Sequence, residues 1–120
     1  MTSDVSSTPV AVVTGGARGI GLAIGRWFLA HGHRVALLDI DAPTLMTAAA
    51  TLGDEAGVLA LHCDVSDAIA VQRAVDEIVA RFARIDALVN NAGVAVFKPI
   101  GETSFAEWRR VLSTALVQFA

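Results

Sequence analysis

The chain has 120 residues, 54% of them hydrophobic and 18% charged, with a formal net charge of −3. That balance supports one packed domain and argues against both disorder and a basic nucleic-acid-binding surface. The single cysteine, Cys63, excludes an intrachain disulfide, and no apolar run reaches the length of a membrane span.

Residues 1–7 are polar and read as a loose tail ahead of a domain over residues 8–120. The start has neither the basic n-region nor the apolar h-region of a secretory signal, so the expected location is cytoplasmic, with no membrane partner. Val10-Ala11-Val12-Val13, ending in Thr14-Gly15-Gly16, reads as a buried parallel strand. From Gly19 to about His31 the pattern is helical. Ile20, Ala23, Ile24, Trp27 and Phe28 form its expected inward face, and Gly32 stands where a helix stop belongs.

Arg34 to Asp39 is the second expected strand. Ala42-Pro43 opens a second helix, with Leu45, Met46, Ala49 and Leu52 as its stripe and Gly53 at its end. Val58 to Cys63 reads as the third strand. Ser66 or Asp67 can cap a third helix, whose stripe is Ile69, Val71, Ala74, Val75, Ile78, Val79 and Phe82. Ile85 to Asn90 is a fourth strand. A loop with Pro99 and Gly101 follows, then a last helix from Thr103 or Ser104 through Trp108, Val111 and Leu112. Trp27 and Trp108 are both expected in the core. Alternating β and α elements of these lengths imply a parallel sheet with helices on both faces, in the order 3-2-1-4.

The strongest chemical signal is Thr14-Gly15-Gly16-Ala17-Arg18-Gly19-Ile20-Gly21, set between a strand and a helix. Gly15 suits a tight turn, Gly19 allows a pyrophosphate to approach the backbone, and Gly21 allows the helix to pack close. The helix N-terminus then offers N–H groups and partial positive charge to phosphates. Asp39, at the end of the second strand, can accept hydrogen bonds from an adenosine ribose and would repel a 2′-phosphate. It therefore favours NAD over NADP. Arg18 is a counter-signal, since a base in the loop could reach a 2′-phosphate. Asp39 is taken to decide, with Arg18 read as a solvated side chain.

With Asn90-Asn91-Ala92-Gly93 after the fourth strand and Cys63-Asp64-Val65 after the third, the chain resembles the classical short-chain dehydrogenases/reductases, in their N-terminal half. The resemblance runs from about residue 8 and implies a Rossmann-like fold and hydride transfer between alcohol and ketone. It implies that Asp64 binds the adenine amino group and Val65 packs on the ring. It further implies that Asn90 steadies the sheet, that Asn91, Ala92 and Gly93 line the cofactor, and that Ile20 sits near the nicotinamide.

The same resemblance calls for a Tyr hydroxyl, a Lys four residues on and a Ser. Free Tyr titrates near pH 10, so a cationic neighbour is needed for base chemistry at neutral pH. The chain contains no Tyr, and its one Lys is Lys98. Ala115 stands where the family usually has an Asn that holds a water near the catalytic Lys. No catalytic residue and no metal site is therefore assigned, and the 120 residues alone are expected to bind nucleotide weakly and turn nothing over. Strand four is expected to be an open edge, so self-association through it and the last helix is expected. The alternative reading is a non-catalytic nucleotide-binding or interaction module. Substrate is not legible, because fold does not fix function.

Overall fold

The computed structural model describes residues 7–92. Their elements are β1 (Val10–Thr14), α1 (Gly19–Ala30), β2 (Arg34–Asp39), α2 (Ala42–Leu52), β3 (Val58–His62), α3 (Ala68–Phe82) and β4 (Ala87–Val89). They build a four-stranded sheet in the order β3-β2-β1-β4, with every pairing parallel. This is the Rossmann-like architecture expected from the alternation of elements. The expectations for residues 1–6, and for Gly93, Lys98, Pro99, Gly101, the last helix with Trp108, and Ala115, lie outside the described residues.

β1 is the centre of the fold. All five of its residues are buried, as a run without a charged residue requires of a strand covered on both faces. Val10 to Thr14 pair residue by residue with Arg34 to Leu38, and Ala11 to Val13 pair with Ala87 to Val89. Its start is tied to the β4 side, where the Val10 N–H donates to Asp86 Oδ2 at 2.8 Å and the Asp86 N–H donates back to the Val10 carbonyl at 2.9 Å.

Alternation along the strands divides the core in two. Val10, Val12, Ala36 and Leu38 meet Val71, Ala74, Ile78 and Phe82 of α3. Val13, Val35 and Leu37 face the other way, toward α1 and α2. Full burial of a side chain such as Phe82 or Leu37 is worth about 2–3 kcal/mol.

Helix ends follow capping chemistry. Asp67, one of the two expected caps, holds the Ile69 and Ala70 N–H groups ahead of α3. Asp41 caps α2 by accepting from the Thr44 N–H, with Pro43 in the first turn. Beyond α1, Gly32 has φ +81° and the His33 N–H reaches back to the Phe28 carbonyl at 3.1 Å, a left-handed stop that Gly enters without a Cβ penalty.

Several faces differ from expectation. The buried residues of α1 are Gly21 and Gly25, while Ile20 is 72% and Trp27 55% exposed. The helix seats on the sheet through its glycines: a Cβ on Gly25 would lie 2.7 Å from Leu37 Cδ2. Ile24 and Phe28 stay half-buried against the core cluster as the spacing implies, while Trp27 turns outward and stacks on His31 at a centroid distance of 3.9 Å. Met46, Ile69 and Val79 are likewise exposed, and Leu45 with Ala48 fills the inward face of α2. β3 ends at His62, one residue before Cys63, and β4 is shorter than Ile85–Asn90.

Candidate functional site

All four strands are parallel, so the loops that follow them lie along one sheet edge. Asp64 and Val65 follow β3, Asp39 ends β2, Gly15 to Arg18 follow β1, and Asn91 and Ala92 follow β4. At a strand spacing of about 4.8 Å the row is about 14 Å long. Chain order reverses direction between β1 and β4, and that switch is where a crevice opens at the carboxyl edge of such sheets.

The glycine loop is built to leave that crevice open. Gly15 (φ +65°) and Gly19 (φ +58°) both occupy the left-handed region. A Cβ on Gly15 would meet Asn91 Nδ2 at 2.9 Å, whereas the space at Gly19 is clear to 4 Å. Gly21 has a different job. A Cβ there would fall 2.0 Å from the Gly15 carbonyl oxygen, so its absence lets α1 start directly against the loop. Arg18 is the N-terminal boundary residue of α1, and no side chain caps the helix. Its first N–H groups therefore have no side-chain acceptor and point where an anion is favoured.

Three contacts fix the loop. The Gly16 N–H donates to the Leu38 carbonyl at 3.1 Å. The Ala17 N–H donates to Asp39 Oδ2 at 3.0 Å. The Asn91 side-chain amide donates to the Gly15 carbonyl at 3.2 Å. Asp39 Oδ1 also accepts the Asp41 N–H at 3.0 Å. Each carboxylate oxygen can accept two hydrogen bonds, so Asp39 keeps capacity for a further donor on each side.

Arg18 is exposed, as expected of a solvated side chain, but it is not without partners. Its guanidinium pairs with Asp41 Oδ2 and reaches Thr44 Oγ1 at 3.4 Å. Bonds from the Thr44 hydroxyl and N–H, then the charge of Arg18, hold the Asp41 carboxyl below its usual range. Sequence reading does not single out Asp41; its residue type suits a cap, but its contact with Arg18 spans 23 positions and leaves no local signal.

Thr14 opens the glycine motif, but pattern reading gives it no role of its own. Its side chain is fully buried. Its Oγ1 accepts the N–H groups of Asn91 and Ala92, both at 2.9 Å, and donates to the Val89 carbonyl at 3.3 Å. Asn90, expected to steady the sheet, is exposed, and the tie made there by the described residues runs through Thr14 and Asn91.

At the far end of the row, Asp64 Oδ1 accepts the Ser66 N–H at 3.0 Å and its hydroxyl at 2.6 Å, which forms a tight turn with the carboxylate exposed. Val65 is 6% exposed and belongs to the core cluster under α3, so its side chain offers only a margin to any ring. Ile20 stands exposed on the first turn of α1. Gly93 lies outside the described residues.

The model of the short chain dehydrogenase family matches residues 9–119. Among curated proteins, the chain is similar to D-threitol dehydrogenase of Mycolicibacterium smegmatis, 44% identical over 108 residues that cover 89% of this chain and 42% of that protein. Among solved structures, it is similar to a short-chain dehydrogenase/reductase, glucose/ribitol dehydrogenase, from Brucella melitensis. The TM-score is 0.87 at 37% identity, covering 90% of this chain and 46% of that one. It is also similar to a short-chain dehydrogenase/reductase from Burkholderia phymatum in complex with NAD, with TM-score 0.85 at 31% identity, covering 92% of this chain and 40% of that one. The chain thus spans about two fifths of the length of these relatives. No helix among the described residues is long and apolar enough to cross a membrane. On the match over residues 9–119 and the strand order that accompanies it, the chain belongs to the short-chain dehydrogenase family.

Proposed function

We propose that residues 8–120 are the cofactor-binding part of an oxidoreductase that interconverts alcohol and ketone and prefers NAD to NADP. One observation carries the reading. A loop with Gly15 and Gly19 at positive φ opens onto the uncapped start of α1, and the Asp39 carboxylate is bonded to that loop. Pyrophosphate suits the N–H groups of the helix start, and a ribose diol suits the remaining acceptor capacity of Asp39. A 2′-phosphate would meet that carboxylate and be repelled. The NAD held by the Burkholderia phymatum structure supports the same preference.

The reaction class follows the name of the Mycolicibacterium smegmatis relative, D-threitol dehydrogenase. When bound, the nicotinamide supplies the hydride chemistry, while the residues described here bind and orient it. With no Tyr in the 120 residues and Lys98 as the one Lys, these residues do not supply a lysine-assisted phenol for proton transfer. We therefore expect them to bind cofactor without turnover.

The test is a titration of the purified protein with NADH and NADPH, read by energy transfer from tryptophan to reduced nicotinamide. Saturable binding that favours NADH and is lost in Asp39→Ala is the expected result. Absence of binding up to millimolar cofactor sinks the proposal.

A further inference from the structure

We infer that Asp41 and Thr44 occupy the Arg18 guanidinium, withholding the glycine loop's cation from a 2′-phosphate and so strengthening discrimination against NADP. This rests on the NAD-binding reading above and adds positioning residues to it. Asp39 alone repels a 2′-phosphate, but a loop arginine beside it would offset that repulsion. The glycine loop carries such an arginine, so the preference depends on where its guanidinium is held.

The structure shows a connected set of bonds at one nitrogen of that guanidinium. Arg18 Nη2 donates to Asp41 Oδ2 and toward Thr44 Oγ1 at 3.4 Å. The Thr44 hydroxyl donates to the same Asp41 oxygen at 2.8 Å, and the other oxygen accepts the Thr44 N–H at 3.2 Å. The Thr44 hydroxyl donates to Asp41 while it accepts from Arg18, so the three side chains agree on one arrangement. Asp41 is itself placed by the bond from its N–H to Asp39 Oδ1 at 3.0 Å. The turn that presents the ribose acceptor therefore also carries the residue that occupies the arginine.

NADPH would have to draw Arg18 off Asp41 and seat its phosphate beside two carboxylates, while NADH asks for neither. The Arg18 and Asp41 side chains are 66% and 36% exposed, so water weakens their attraction. The contribution expected from such an exposed pair is a factor of about five in affinity, not several decades.

The experiment compares NADH and NADPH binding in the whole protein for wild type, Asp41→Asn, Arg18→Ala and the double variant. Asn caps a helix about as well as Asp, so Asp41→Asn frees the guanidinium while α2 keeps its start. Thermal melts confirm that each variant is folded. The expected result is that Asp41→Asn binds NADPH about fivefold more tightly, binds NADH within about twofold of wild type, and shows no such gain when Arg18 is also Ala. NADPH affinity unchanged in Asp41→Asn overturns the inference. So does an equal gain in the double variant, which would assign the effect to loss of negative charge alone. Wild type that binds neither cofactor removes the NAD-binding reading and this inference with it. Wild type that binds NADH with no Arg18-dependent response removes this inference only.

Discussion

A Cβ placed on Gly21 would stand 2.0 Å from the carbonyl oxygen of Gly15 and 2.6 Å from Asn91 Nδ2. Backbone cannot retreat as a flexible side chain can, so α1 would have to lift from the loop. Gly21→Ala is expected to cost about 3 kcal/mol, an overpacking penalty at the upper end of its usual range. Gly19→Ala is the contrast. It meets open space but forces a left-handed φ of +58° on alanine, at a cost of about 1 kcal/mol. Urea denaturation separates the two. Equal losses would show that the Gly21 contact is not a packing limit.

The extent of β2, Arg34–Asp39, was readable because a short apolar run between polar ends has few other solutions in an alternating chain. Gly32 was readable as a stop for the same local reason. The inward face of α1 was readable only in part: Ile24 and Phe28 pack on the core as their spacing implies, but periodicity gives a glycine no vote, and Gly21 and Gly25 are the fully buried residues of the helix. In the site, Gly15, Gly19 and Asp39 carry local signatures of spacing and strand end. The Arg18–Asp41 pair and the Thr14 contacts, which span 23 and 77 or 78 positions, exist only after β1 has paired with β2 and β4. No window of sequence contains them.

Thr14 is the buried clasp between the ends of β1 and β4. Thr14→Val keeps the shape and removes an acceptor from the N–H groups of Asn91 and Ala92. The Asn91 N–H retains the Val89 carbonyl at 3.1 Å, and the expected loss for the bonds to the hydroxyl is about 2 kcal/mol. Thr14→Ser keeps the hydroxyl and loses one methyl, at about 0.8 kcal/mol. A valine variant as stable as the serine variant in chemical denaturation would show that the hydroxyl holds nothing there.

Asp86 gives the fold an acid sensitivity. Its carboxylate is held below the usual range first by the Arg84 guanidinium and then by the Val10 N–H. A depressed folded value means stability that is complete above the unfolded pKa, about 3.9 for Asp, and is lost as pH falls through the folded value. Melting temperature is therefore expected to fall on acidification below about pH 4, and Asp86→Asn to show a shallower fall from a lower starting point. Parallel acid profiles for the two proteins would remove Asp86 from the account.

Cys63 is expected to report opening of the core. It is 3% exposed and joins the cluster under α3. Burial pushes its thiol up, and the charges of Asp64 and Asp67 add to the shift. Since the thiolate is the reacting form, both accessibility and ionisation slow its alkylation. At neutral pH a maleimide should label the native protein at least about a hundredfold more slowly than the urea-denatured chain, through transient exposure of the cluster. Because Cys63 is the chain's single cysteine, each labelling event marks one opening at this place. Rapid labelling of a protein that still melts cooperatively would mean that the end of β3 opens independently of the core. The edge carrying Asp64 would then be a separate mobile unit from the glycine loop.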